Sequence, residues 1–233
     1  MPASKSSEVK IHSHNDYEKA EPLFNALRHQ AFTIEADVYL VDGHLMVAHD
    51  RKDIKQERSL TRMYLDPIDS LFKKYAGAVS SDKSYRTTLA VDIKSDGEAS
   101  IAALVTLLTD RSNAFDRTKN PNAMIVIVSG DRGNISKWES YPSFIMFDGR
   151  PTENYDDETL KKVVSISDSY ANYYKNNVLD NNAINTMIGK AHSQKKLVRI
   201  WGAPDFPATW KLFQALGVDI INTDKIELVR KEL

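Results

Sequence analysis

IHSHNDY (residues 11–17), FTIEADVYL (32–40) and DGHLMVAHD (42–50) sit within one stretch, and TLAVDIK (88–94) repeats their design further on. Each is a short apolar run that ends in imidazole, amide, acid or amine. Successive side chains on a strand face opposite sides. His12 and His14 therefore share one face, with Ile11 and Ser13 on the other. Glu35 and Asp37 share a face, with Ile34, Ala36 and Val38 opposite. Asp92 and Lys94 do the same against Val91 and Ile93. Polar pairs at the C-terminal ends of apolar strands converge naturally at one mouth of a closed parallel barrel.

Outward from this stretch the same alternation continues. Strands are expected at 9–13, 33–38, 88–93, 123–128, 143–147, 163–166, 196–200 and 218–221. Helical patterns fall between them at 20–29, 67–75, 98–110, 135–139, 157–162, 181–194 and 207–216. Strands separated mostly by helices signal parallel crossovers. The expected fold class is α/β, a TIM-type eight-stranded barrel. A doubly wound sheet is the weaker alternative, because no glycine-rich loop follows the first strand. Asp42-Gly43 followed by 44–48 reads as a hairpin-like extension of the second strand. Residues 51–65 read as a long charged loop. Pro207 and Gly217 bracket a helix at its favoured start and stop positions.

The chain has 233 residues, enough for one such barrel. Residues 1–8 are read as a disordered or processed N-terminus and 9–233 as a single barrel domain. Lys and Arg total 31 against 32 Asp and Glu, so nothing in the charge points to nucleic acid as a partner. No apolar run approaches the roughly 20 residues of a membrane span. Cysteine is absent, which excludes thiolate metal sites and thiol nucleophiles.

An isolated pair such as Glu35 and Asp37 often forms structural ion pairs. A third acid, Asp92, and imidazoles on other strand ends favour a bound cation instead. Three carboxylates suit a hard divalent ion, Ca2+ or Mg2+. His14 and His49, at strand ends beside the acids, suit a general base and a general acid near neutral pH. His12 reads equally as a group that touches the bound ion or substrate or as support inside the barrel. Lys94 neutralises the acidic cluster or stabilises charge on a phosphate. Arg199 and Trp201 share a strand face and read equally as phosphate contact and apolar wall or as core residues. Asp148, Arg150, Asp168, Asn222 and Asp224 are further polar strand ends with less to support them. His29, His44 and His192 read as surface or packing residues.

These motifs resemble a known family. SHNDY is similar to the SHN-x-Y of eukaryotic-type phospholipase C domains. IEADV followed by HD resembles the I-E-x-D-V and H-D of glycerophosphodiesterases, and VDIK resembles their acidic-x-Lys strand. GVDIINTDKI is similar to their last strand and turn. The nearest resemblance is to the bacterial phosphatidylinositol-specific phospholipase C/glycerophosphodiester phosphodiesterase family, whose exported members carry a similar HSHNDY and YPSFI-x-FDGR. The resemblance implies a PLC-like barrel that hydrolyses phosphoric diesters with a divalent ion. It implies His14 and His49 as the acid–base pair, Glu35, Asp37 and Asp92 as metal ligands, and Asn15 as a fourth. It implies a small phosphodiester or phospholipid head group as partner, and an exported protein. A non-catalytic barrel that binds phosphorylated ligands is the alternative. Glycerophosphodiesterases have His-Arg-Gly at the first strand, where Asn15 and Asp16 follow His14 here. Arg199 or Lys94 is expected to replace that arginine.

Overall fold

A computed structural model describes residues 9–233. The expectation for residues 1–8 lies outside the described residues. In chain order the strands are β1 (Lys10–Ser13), β2 (Thr33–Val41), β3 (His44–Val47), β4 (Thr88–Ile93), β5 (Ile125–Gly130), β6 (Ile145–Gly149), β7 (Val163–Ser169), β8 (Tyr174–Lys175), β9 (Val178–Leu179), β10 (Leu197–Trp201) and β11 (Ile220–Thr223). The helices are α1 (Phe24–Arg28), α2 (Asp66–Lys74), α3 (Gly97–Thr109), α4 (Ser112–Phe115), α5 (Asp157–Lys161), α6 (Asn181–Ser193), α7 (Pro207–Leu216) and α8 (Ile226–Glu232).

Eight strands pair in parallel in the order β1, β11, β10, β7, β6, β5, β4, β2. Pairing of His12 with Thr33 and of Ser13 with Ile34 returns β2 to β1 and closes the barrel. This is the expected eight-stranded α/β barrel. Outward strand faces such as Ile34, Ala36 and Val38 are fully buried under the helices. Helix α3 turns Ile101, Leu104 and Leu108 into that layer, one helical face.

β2 is longer than its neighbours, and its two halves have different partners. Thr33 and Ile34 pair with β1, while Val38–Val41 pair antiparallel with β3. The Asp42-Gly43 turn between them has positive φ at both residues, the geometry of a tight hairpin. Thus the hairpin read from the sequence is present.

Several elements differ from expectation for local reasons. The helix expected over 20–29 contracts to α1, because the buried Asp16 carboxylate accepts the Leu23 N–H at 2.6 Å and Leu23 sits at φ 65°. The same carboxylate accepts from Ser13 Oγ and Tyr64 Oη, so it pins the loop after β1. The 51–65 segment is not loop throughout. It returns to the hairpin through Arg58 O, which accepts the Val47 N–H at 2.7 Å, and then winds into α2 through a wide helical turn over Thr61–Leu65. The β8–β9 hairpin and helices α4 and α8 were not expected. Asn176 and Asn177 make the β8–β9 turn at φ 51° and 63°, a backbone that asparagine tolerates.

Candidate active site

Ten of the residues read from the sequence, Arg150 among them, meet at the C-terminal mouth of the barrel. His14, Asn15, Glu35, Asp37, His49, Asp92, Lys94, Arg199 and Trp201 line one cleft of about 340 Å³. Ser129, Gly130 and Arg150 complete its lining. His12 does not reach it. It lies below, inside the barrel, beside Thr33, Ser165 and Arg199.

Strand register brings the acids together. Glu35 and Asp37 are two residues apart on β2, and Asp37 is directly opposite Asp92 on β4. One carboxylate oxygen from each of the three lies within 4.8 Å of the others. Space for Asp92 comes from Gly130 at the end of β5. It has φ +67°, and a Cβ there would lie 2.7 Å from Asp92 Oδ1 and 2.3 Å from Ile93 O.

The charges in the cluster do not cancel. Lys94 Nζ donates to Asp37 Oδ2 and Asp92 Oδ1, at 2.9 Å each. Burial alone would disfavour its charge, but Asp92 and Asp37 outweigh that and hold the ammonium protonated. Burial and then Glu35 push the Asp37 carboxyl above the usual carboxylate range despite Lys94. Burial also works against Glu35, yet the His14 and Arg199 charges beside it help hold that carboxyl below its usual range. Glu35 Oε2 accepts the Asn15 N–H at 2.9 Å, where Asn15 takes a left-handed backbone. Three carboxylates against one lysine, all hard oxygen donors within reach of one point, fit a divalent cation.

Both cleft histidines are anchored through Nδ1. His14 Nδ1 lies 3.3 Å from Asp224 Oδ1, and its Nε2 lies 3.9 Å from Glu35 Oε2. His49 Nδ1 lies 3.2 Å from Asp37 Oδ2. A carboxylate only accepts, so Nδ1 carries the proton in each contact and Nε2 is left for other partners. Burial opposes the charged form of His14, but the Asp224 hydrogen bond and Glu35 outweigh it and raise its pKa. Asp224 is drawn down to about 2, first by His14 and with help from Lys19, whose Nζ donates to it at 2.8 Å.

Reading the sequence missed Tyr17. It is buried, and its hydroxyl donates to Asp37 Oδ2 at 2.7 Å and lies 3.0 Å from Asn15 Oδ1 and 3.3 Å from His49 Nδ1. One phenol thus touches an acid, the amide and a histidine of the cleft. Its place in the HNDY motif was the available signal. Asp224 was legible only as a strand-end acid.

Under the cleft, Arg199 is bound on nearly every side. Its Nη2 donates to Asp148 Oδ2 at 2.9 Å, Nη1 to Asn222 Oδ1 and His12 Nε2 at 3.0 Å each, and Nε to Ser167 Oγ at 3.1 Å. Burial first, then the Arg199 charge, lower the pKa of His12, which accepts from Arg199 as a neutral ring. Asp148 also accepts from Ser165, Ser167 and Arg150. Trp201 stands at the rim, 40% exposed.

Known proteins resemble this chain in both sequence and fold. A family model described as the AIM6-like phosphodiesterase domain matches residues 3–136. A second, described as the glycerophosphoryl diester phosphodiesterase family, matches residues 198–227. The altered inheritance of mitochondria protein 6 homolog of Arthroderma benhamiae is 24% identical, over 95% of this chain and 83% of its own length. The altered inheritance of mitochondria protein 6 of Lachancea thermotolerans is 27% identical, over 94% of this chain and 64% of its own. Among solved structures, a glycerophosphodiester phosphodiesterase from Parabacteroides distasonis has a TM-score of 0.61 at 18% identity, covering 96% of this chain and 95% of that one. A phosphodiesterase of Oleispira antarctica, in complex with the product sn-glycerol-3-phosphate, has a TM-score of 0.58 at 14% identity, covering 97% and 96%. The structural likeness speaks to the barrel fold. Together these matches bear out the resemblance carried by SHNDY, IEADV and VDIK.

Proposed function

We propose a function from one premise: the chain belongs to the AIM6-like phosphodiesterase domain family. The reading is a metal-dependent phosphoric diester hydrolase acting on small phosphodiesters or phospholipid head groups. The observation that carries it is the pair of Nδ1-anchored histidines, His14 and His49, in one cleft with three clustered carboxylates. Binding alone has no use for two imidazoles so oriented.

Glu35, Asp37 and Asp92 would hold the ion, Ca2+ or Mg2+, with the Asn15 side-chain oxygen as a further ligand. When bound, the ion supplies electrostatic stabilisation of charge on a phosphate oxygen. The remaining steps belong to the chain. One histidine takes the proton of a hydroxyl on the substrate alcohol that neighbours the phosphate. The new P–O bond forms as the P–O bond to the leaving alcohol breaks. The other histidine gives that alcohol its proton through Nε2. Lys94, held against Asp37 and Asp92, offsets the negative charge that gathers on phosphorus-bound oxygen. Asp224 keeps His14 in the tautomer that leaves Nε2 basic. The product is a cyclic phosphate, which water then opens or the cleft releases.

Turnover of a panel of phosphodiesters, with and without Ca2+ or Mg2+, tests the reading on wild type and on His14→Ala, His49→Ala and Glu35→Ala. Metal-dependent cleavage that drops in all three variants supports it. Near wild-type turnover in all three overturns the assignment. Tight binding of phosphorylated ligands with no turnover on any substrate favours the non-catalytic barrel.

A further inference from the structure

We infer that Arg150 is the cleft's phosphate-binding arginine, taking one phosphate group through the Nε–Nη2 edge of its guanidinium. The inference deepens the proposed function and rests on it for the identity of the anion.

A guanidinium binds phosphate best when one full edge, two parallel N–H groups, is free to fork onto two oxygens. Three cations line the cleft, and their donors are differently committed. Lys94 gives two of its three N–H bonds to Asp37 and Asp92. Arg199 spends four of its five on Ser167, His12, Asn222 and Asp148. It is 6% exposed, with no complete edge left.

Arg150 is arranged the other way. Its Nη1 faces Asp148 Oδ2 at 3.0 Å, Asp148 O at 3.1 Å and Gly149 O at 3.0 Å. On the opposite edge, Nη2 has only Ser129 Oγ at 3.5 Å, the outer limit of a hydrogen bond. Among the described residues Nε has no hydrogen-bond partner, and it is not buried. The edge that remains belongs to a side chain lining the cleft beside Lys94, Asp92 and both histidines.

The group is also held still. The Arg150 N–H donates to Glu153 Oε2 at 3.0 Å and is 2.9 Å from Tyr155 Oη. Tyr155 Oη in turn donates to Glu153. Glu153 is itself clamped by Arg132 at 2.7 and 2.9 Å. A backbone fixed by Glu153 and an Nη1 fixed by Asp148 leave the Nε–Nη2 edge little to reorganise on binding, which favours affinity. An arginine at the end of β6 thus offers what Asn15 and Asp16 cannot offer after β1.

The test measures inorganic phosphate binding by calorimetry, and KM and kcat on a chromogenic phosphodiester with Ca2+ or Mg2+. It uses wild type, Arg150→Gln and Arg150→Lys, with thermal unfolding as a fold check. Expected is at least a tenfold loss of phosphate affinity in Arg150→Gln, with KM raised more than kcat is lowered. Arg150→Lys keeps the charge without the fork and is expected to recover only part. Phosphate affinity unchanged in a folded Arg150→Gln or Arg150→Lys overturns the inference. If wild type turns over substrate and the variants match it in KM, Arg150 is excluded and the phosphodiesterase reading stands. If wild type binds phosphate through Arg150 but cleaves no phosphodiester, the anion site stands and the enzymatic reading falls.

Discussion

Asp37 and Asp148 are equally buried, at 1% exposure each, and their carboxyls are pushed in opposite directions. Burial opposes ionisation at both. At Asp148, inside the barrel, Arg199 and Arg150 and then two serine hydroxyls outweigh burial, and the carboxyl falls well below its usual range. At Asp37, in the mouth, Glu35 adds to burial and Lys94 does not make up the difference. The barrel interior is a closed set of charges with its own partners. The mouth acids form an open set that Lys94, the cation bonded to Asp37 and Asp92, does not balance. A buried charge matched within the chain holds the fold, whereas one left unmatched awaits a ligand.

Breaking the closed set is expected to cost most. Arg199→Met leaves Asp148 with one arginine, and His12, Asn222 and Ser167 without their donor. A loss of about 3–5 kcal/mol is expected in urea unfolding, unaffected by Ca2+ or Mg2+. A loss that vanishes on adding either ion would erase the distinction between the two regions.

The mouth is expected to respond in activity instead. His49→Ala is expected to lower turnover by about 10²–10⁴-fold, the usual share of a general acid or base. Its side chain is 59% exposed, so the unfolding midpoint should barely move. Comparing both readouts on Arg199→Met and His49→Ala measures how separate the regions are.

Supplying the missing charge comes next. Ca2+ or Mg2+ at a hundredfold over its dissociation constant should stabilise the folded protein by about 2.7 kcal/mol. Thermal melts of Asp37→Asn with and without the ion should coincide. An equal ion response in that variant would place the cation elsewhere.

A smaller effect is expected at the joint between acid, amide and histidine. Tyr17→Phe removes a hydrogen bond to a charged acceptor, worth about 1.5–3 kcal/mol at most and less where water replaces it. Chemical unfolding gives the stability change, and kcat on the same sample tells whether His49 has lost its place. At the bottom of the scale, His192→Asn breaks only a half-exposed contact with Asp219. It should stay within about 0.5 kcal/mol of wild type and leave turnover alone.

The open set was the part legible in the sequence. His14, Glu35, Asp37, Asp92 and Lys94 announce themselves by a period of two within single strands, a purely local signal that also picked out His12 of the interior. Their convergence needed only the premise of parallel closure. The closed set was not legible in the same way. Asp148, Ser165, Ser167, Arg199 and Asn222 come from four strands, and nothing within any one of them reveals that they bond to each other. Arg199 therefore reads equally as a phosphate contact or a core residue from its own strand alone, while its partners come into view only with the fold. Tyr17 was hidden differently. Aromatic residues near strand ends are usually packing, and its hydroxyl matters only because β2 carries Asp37 alongside. The short α1 follows from the buried Asp16, a tertiary contact that overrides helix propensity.

β2 is held by β1, β4 and β3 at once. A one-residue slip would turn Glu35 and Asp37 into the apolar layer and bring Ile34, Ala36 and Val38 to the mouth. The spacing of the two acids is written in the covalent chain, and its phase is recorded three times over in separate ladders. Such redundancy makes the strand intolerant of a single inserted residue, which no one ladder could absorb without breaking the other two.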